Sequence, residues 1–112
     1  MRLFVDVDDT LILWEKVQRD DSFLTKYEPN QAVIHFVRAF RDFHPGHEVI
    51  VWSLGGQDYA AKHAADHLPG LHDECRAKYP AIPAAGDLFI DDDPLPSYRT
   101  MTIHPAMLGA VT

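Results

Sequence analysis

Three short apolar runs constrain this chain most, because each stops abruptly at a residue able to do chemistry. Leu3-Phe4-Val5 runs into Asp6, Val49-Ile50-Val51-Trp52 into Ser53, and Leu88-Phe89-Ile90 into Asp91. Uninterrupted runs of β-branched and aromatic residues, without polar alternation, read as strands buried on both faces. Helical patterns lie between them. From Asn30, placed after Pro29 to act as an N-cap, apolar residues recur at Val33, Ile34, Phe36, Val37 and Phe40, and His44-Pro45-Gly46 ends the segment. Gln57 to Leu68, with Ala60, Ala61, Ala64 and Ala65 lending propensity, reads as a second helix closed by Pro69-Gly70. A shorter helix or turn is expected around Leu71 to Ala77, ahead of Lys78, and a last short strand over Tyr98 to Ile103. In the less regular stretch from residue 10 to 29, Leu11, Ile12, Leu13 and Trp14 fit a small turn or hairpin over the end of the first strand. Strands alternating with helices predict an α/β fold: a doubly wound, mainly parallel sheet with helices on both faces. Such sheets bind ligands outside the carboxyl ends of their strands, where Asp6, Ser53 and Asp91 fall.

With 112 residues, 46% hydrophobic and 24% charged, the expectation is one domain over residues 1–112, with no room for a separate substrate domain. A net charge of −7 disfavours nonspecific binding to a phosphate backbone, although Arg38, Arg41, Arg76 and Arg99 leave scope for local contacts with an anionic substrate. The lone Cys75 has no internal disulfide partner, no basic leader precedes Leu3, and no apolar stretch reaches membrane-spanning length. These features predict a soluble, cytoplasmic setting. The Pro-rich segments Tyr79 to Pro83 and Pro94 to Pro96 are expected to be loops, and there is no internal repeat.

Two acidic clusters follow the first and third apolar runs: Asp6-Val7-Asp8-Asp9-Thr10 and Asp91-Asp92-Asp93. Carboxylates at the ends of buried strands are costly to gather unless positive charge lies between them, which makes a divalent metal the natural candidate. Mg²⁺ takes oxygen ligands and keeps several waters, so Asp6, Asp91 and the backbone carbonyl of Asp8 would be enough. Aspartates separated by one residue also suit a nucleophile, Asp6, and a general acid, Asp8, held in different environments. The Ser53 hydroxyl and the Leu54 amide could donate to phosphate oxygens. Lys78 would supply a compact positive charge that offsets repulsion between an anionic carboxylate and an anionic ester.

Taken in order, Asp6-Val7-Asp8-Asp9-Thr10, Val51-Trp52-Ser53, Lys78-Tyr79-Pro80 and Phe89-Ile90-Asp91-Asp92 resemble the four motifs of the haloacid dehalogenase (HAD) superfamily. The likeness spans residues 3 to 93. It implies a Mg²⁺-dependent phosphatase in which Asp6 forms an aspartyl-phosphate and Asp8 acts as acid and then base. Asp91 is the implied metal ligand, with Asp92 an indirect or water-bridged partner and Thr10 supporting the first motif; Asp93 departs into a loop. Lys62 lies too early, inside the helix after Ser53, to match the family's lysine. The gaps from Leu11 to Asn30 and from Leu54 to Ala77 hold only a flap, a helix and a loop, so the resemblance is to a capless member. An open site of that kind suits bulky phosphorylated substrates, with nucleotides or polynucleotide ends preferred to sugar phosphates and no membrane partner expected.

Two other readings use the same residues. One is a catalytically silent HAD-like binding module, which the intact Asp6, Asp8, Ser53 and Lys78 argue against. The other is a receiver-type phosphoacceptor domain, whose motif order differs, since here the second acidic cluster follows the lysine. His63 and His67 have the i, i+4 spacing of a zinc pair but lack the Glu of an HExxH motif. His35, His44, His47, His72 and His104 are scattered and read as surface or loop residues. Cys75 reads as an inert thiol, and Trp14 and Tyr27 as a flap packed on the core.

Overall fold

Strand β1 (Arg2–Asp6) occupies the centre of the sheet, and its Leu3, Phe4 and Val5 have no exposed surface. The computed structural model describes residues 1–14, 26–78, 86–93 and 101–109. In chain order the remaining elements are β2 (Ile12–Trp14), β3 (Tyr27–Pro29), α1 (Gln31–Phe43), β4 (Glu48–Ser53), α2 (Gln57–His67), β5 (Glu74–Ala77), β6 (Leu88–Ile90) and β7 (Met101–Ile103). A single 3-10 turn follows at Pro105–Leu108. Strands β2 and β3 pair antiparallel as a small hairpin. The other five form one sheet in the order β5-β4-β1-β6-β7, with every neighbouring pair parallel. The fold is therefore α/β around a parallel sheet.

The order carries a functional consequence. From β1 the chain steps outward through β4 to β5, then returns to place β6 on the opposite side of β1. A sheet whose winding reverses in this way opens a crevice at the carboxyl ends of the two strands flanking the reversal, here β1 and β6. Register places Val5 opposite both Val51 and Ile90, so the residues that follow all three strands emerge at one edge.

Alternation along the strands divides the core. Leu3, Val5, Val49, Val51 and Ile90 point to the face on which α1 lays Val33, Ile34, Val37 and Phe40 and α2 lays Ala60 and Ala64. Asn30 caps α1 as expected, its side chain accepting from the Ala32 amide at 3.2 Å. Phe4, Ile50, Trp52 and Phe89 form the opposite cluster, with the Phe4 ring centroid 4.7 Å from Trp52 and 4.9 Å from Phe89. Both described helices pack on the first face. Complete burial of side chains this size contributes about 1.5–3 kcal/mol each, a margin that lets the sheet tolerate unfavourable charge at one edge.

The segment around Leu71 to Ala77 corrects an expectation. Glu74–Ala77 is not a helix or turn but the edge strand β5, pairing with β4 from Ile50↔Glu74 to Ser53↔Ala77. Its half-exposed residues lack the apolar run of a central strand, and backbone pairing at the sheet edge rather than side-chain burial defines it. Of the strand expected from Tyr98 to Ile103, the described part is Met101–Ile103. The expected loops Tyr79 to Pro83 and Pro94 to Pro96, together with Arg99, lie outside the described residues. No helix among the described residues is long and apolar enough to cross a membrane.

Candidate functional site

Asp6 closes β1, and the chain turns back at once. Leu11 donates to the Asp6 carbonyl at 3.2 Å and Ile12 to the Val7 carbonyl at 3.0 Å, with Asp9 at φ 55°, a left-handed conformation that Asp tolerates better than most residues. This turn returns Thr10 to Asp6, where its hydroxyl donates to Asp6 Oδ2 at 3.0 Å. The same Thr10 oxygen accepts from the Asp92 amide at 3.2 Å, tying the loop after β1 to the loop after β6. The Asp93 amide donates to Asp91 Oδ1 at 3.0 Å.

Lys78 enters from the other side of β1. Its amide donates to the Ser53 carbonyl at 2.9 Å, so the residue after β5 is fixed against the end of β4. Its ammonium lies 2.7 Å from Asp91 Oδ2 and 3.4 Å from Asp6 Oδ1, and 5.6 Å from the centre of the Trp52 ring. Asp6, Asp91, Ser53 and Lys78 are all buried. Ser53 Oγ accepts from the Gly55 amide at 3.0 Å, which leaves its hydroxyl proton to donate elsewhere. Leu54 follows with its side chain 70% exposed at the rim.

Carboxylate oxygens of Asp6, Asp91 and Asp92 lie within 4.8 Å of one another, and these three residues could hold a metal. The set is all oxygen, which suits a hard cation. Its electrostatics point the same way. Burial, followed by the charge of Asp91, pushes the Asp6 carboxyl up to about 8, against the smaller opposing effect of Lys78. Asp91 is also raised, chiefly by burial. Burial works against the Lys78 charge, but its carboxylate neighbours outweigh it and the ammonium is held above its ordinary range. Among the described residues one ammonium thus pairs with two of the three clustered carboxylates, an arrangement short of positive charge that a divalent cation would supply.

The Asp92 carboxylate thus lies beside those of Asp6 and Asp91, within reach of the same cluster. The Asp8 carboxylate turns elsewhere; the part expected of Asp8 beside a metal was its backbone carbonyl. Asp8 Oδ1 accepts from the Tyr59 hydroxyl at 2.6 Å and from Trp14 Nε1 at 3.0 Å. Burial and the hydrogen bond to Asp8 raise the Tyr59 hydroxyl above its ordinary range, so it stays protonated and donates. Sequence reading did not single out Tyr59, because nothing in a helical segment marks which tyrosine faces a strand end. Trp14 and Tyr27 do pack on the core as a flap, their rings edge to face at 5.2 Å.

His63 and His67 stack at 5.8 Å on α2, and His63 also meets Tyr59 and Tyr27 edge-on at 4.6 and 5.2 Å. Burial and the neighbouring His67 lower the His63 pKa, which keeps the ring neutral as an aromatic packing element. Lys62 is exposed on α2. Burial raises the Cys75 thiol, consistent with an unreactive role. No protein-family model matches the chain, and no curated protein matches its sequence.

Proposed function

We propose that this chain is a capless HAD-like phosphatase, a Mg²⁺-dependent phosphomonoesterase that works through an aspartyl-phosphate on Asp6. The observation that carries the reading is the position of Lys78, which sits between Asp6 and Asp91 at one sheet edge although the three come from the ends of separate strands. The finer fold assignment, a doubly wound HAD-like domain, belongs to the same reading, as does a cytoplasmic location.

Asp6, Asp91 and Asp92 would hold Mg²⁺, with the Asp8 carbonyl as a further oxygen. Bound there, the ion would neutralise phosphate charge and bring the Asp6 carboxyl back to its ionised, nucleophilic form. Ser53 and the Leu54 amide bind nonbridging phosphate oxygens, and Lys78 offsets repulsion as the anionic ester approaches. An Asp6 oxygen forms a bond to phosphorus as the ester P–O bond breaks, and Asp8 gives its proton to the leaving oxygen. Asp8 then takes a proton from water, whose oxygen attacks the same phosphorus. The Asp6–phosphorus bond breaks, inorganic phosphate leaves and Asp6 is restored.

With little to enclose a small sugar, the favoured substrates are nucleotides or polynucleotide ends. The decisive experiment is hydrolysis of an aryl phosphate with and without Mg²⁺ by wild type and Asp6→Asn. Metal-dependent turnover that disappears in Asp6→Asn is expected, whereas full activity in that variant would remove Asp6 as nucleophile. A panel of 3′- and 5′-phosphorylated oligonucleotides, mononucleotides, sugar phosphates and phosphopeptides then identifies the substrate class.

A further inference from the structure

Asp8 is held more elaborately than a proton donor at a strand end requires. Two donors from different parts of the chain converge on its Oδ1, the Tyr59 hydroxyl from α2 at 2.6 Å and Trp14 Nε1 from β2 at 3.0 Å. No group among the described residues donates to its Oδ2. Both donors are wedged in place. Tyr27 meets Trp14 edge-on at 5.2 Å, and His63, only 2% exposed, meets Tyr27 at 5.2 Å and Tyr59 at 4.6 Å. The hairpin and α2 are thereby locked together around one carboxylate oxygen.

Gly55 adds a second constraint. A Cβ at this position would meet Tyr59 Cδ2 at 2.9 Å, closer than real Cβ contacts come, and Cγ at 3.1 Å. The residue whose amide donates to Ser53 Oγ therefore also packs close against the Tyr59 ring. The geometry joins the hydroxyl meant for phosphate to the carboxyl meant for the proton through one aromatic ring.

A carboxylic acid has one oxygen that bears the proton and one that accepts. Two donors at Oδ1 place the transferable proton on Oδ2, and they receive the charge that develops when it leaves. We propose that Tyr59 and Trp14 are positioning residues that keep Oδ2 as the proton-transferring oxygen of Asp8 in both halves of the reaction. This rests on the phosphatase reading above. In the first half the proton passes from Oδ2 to the leaving oxygen as its bond to phosphorus breaks. In the second, Oδ2 accepts a proton from the water that displaces Asp6.

The test exploits the leaving group. Phenyl phosphate needs its leaving oxygen protonated, whereas dinitrophenyl phosphate releases dinitrophenolate, a stable anion that needs no proton. Steady-state rates are measured on both with the full chain and Mg²⁺, for wild type, Asp8→Asn, Tyr59→Phe and Trp14→Phe, alongside melting curves. Tyr59→Phe is expected to lower kcat/KM, which reports only as far as departure of the phenol, by roughly tenfold to a hundredfold on phenyl phosphate and by less than about threefold on dinitrophenyl phosphate. Trp14→Phe should show the same selectivity at smaller size, and it keeps the proposal testable if Tyr59→Phe does not fold. Equal losses of kcat/KM on both substrates, or no loss on either, in an enzyme whose wild type is active would overturn the positioning role and leave the phosphatase reading standing. A wild type inert on both substrates would overturn the two together.

Discussion

The two ends of strands β1 and β6 carry similar residues and solve opposite problems. At the amino ends, Arg2 grips the buried Asp87 with both arms of its guanidinium, Nε to Oδ1 at 3.0 Å and Nη2 to Oδ2 at 2.6 Å. Nearby, Asp73 accepts from Arg41 at 2.6 Å and from the Val49 amide at 2.8 Å. At this edge both carboxylates have a guanidinium in bonding distance. At the carboxyl ends, Asp6 and Asp91 share Lys78, and among the described residues no second cation pairs with Asp6, Asp91 or Asp92. Where only stability is at stake the charges close on one another; where, on the function proposed, a cation and an anionic ester bind, the edge keeps uncompensated charge, and the rest of the fold offsets its cost.

Substitutions at the two ends should therefore separate activity from stability. The largest effect is expected for Asp6→Asn, with turnover down on the order of 10⁴-fold or more, while the metal-free protein melts higher because a buried carboxyl held away from its ionised form by burial and Asp91 is gone. Enzyme assays paired with thermal melts in chelator check both halves, and a lower melting temperature would break the contrast. Lys78→Met should cost roughly a hundredfold or more in turnover, whereas Lys62→Ala on the exposed face of α2 should leave rates unchanged. Reversed results would reassign the lysine.

Arg2→Met should do the opposite of Asp6→Asn. Removing the guanidinium from buried Asp87 is expected to cost about 2 kcal/mol of stability with turnover unaltered below the melting transition. Denaturant unfolding measures the first and initial rates the second.

The ends should also differ in the sign of their pH dependence. The folded-state pKa of Asp6 is raised from 3.8 to about 8, so its favourable contribution is complete below the lower value and is lost as pH rises toward the upper one. Asp73 runs the other way: burial alone would raise it, but the Val49 amide and Arg41 outweigh burial and hold it below its ordinary value. Its contribution is present above that ordinary value and is lost as pH falls through the lowered one. Mg²⁺ should consequently raise the melting temperature more at pH 8 than at pH 6, by a few degrees. An equal shift at both, or none, would detach the raised Asp6 from metal binding. The smallest expected effect is Gly55→Ala, a several-fold loss of turnover as the new methyl displaces Tyr59.

The strands that run into Asp6, Ser53 and Asp91 were legible because a buried parallel strand needs a continuous apolar run, and such runs are rare enough in 112 residues to stand out. The α1 cap at Asn30 was legible because capping is local. Strand β5 was not, since an edge strand is held by backbone pairing and its charged side chains carry no burial pattern. The place of Asp92 beside Asp6 and Asp91 was not legible for a related reason. Whether its carboxylate faces the cluster depends on a loop tied across to Thr10.

By itself, then, the order of residues determined the parallel α/β layout and which side chains stand at strand ends, because hydrophobic periodicity and capping act over a few neighbouring positions. Tertiary structure decided how those ends are shared: Lys78 between Asp6 and Asp91, and Asp8 in the grip of Tyr59 and Trp14. Such contacts join residues far apart in the chain, and their geometry is set by strand order and helix placement, which no local pattern encodes.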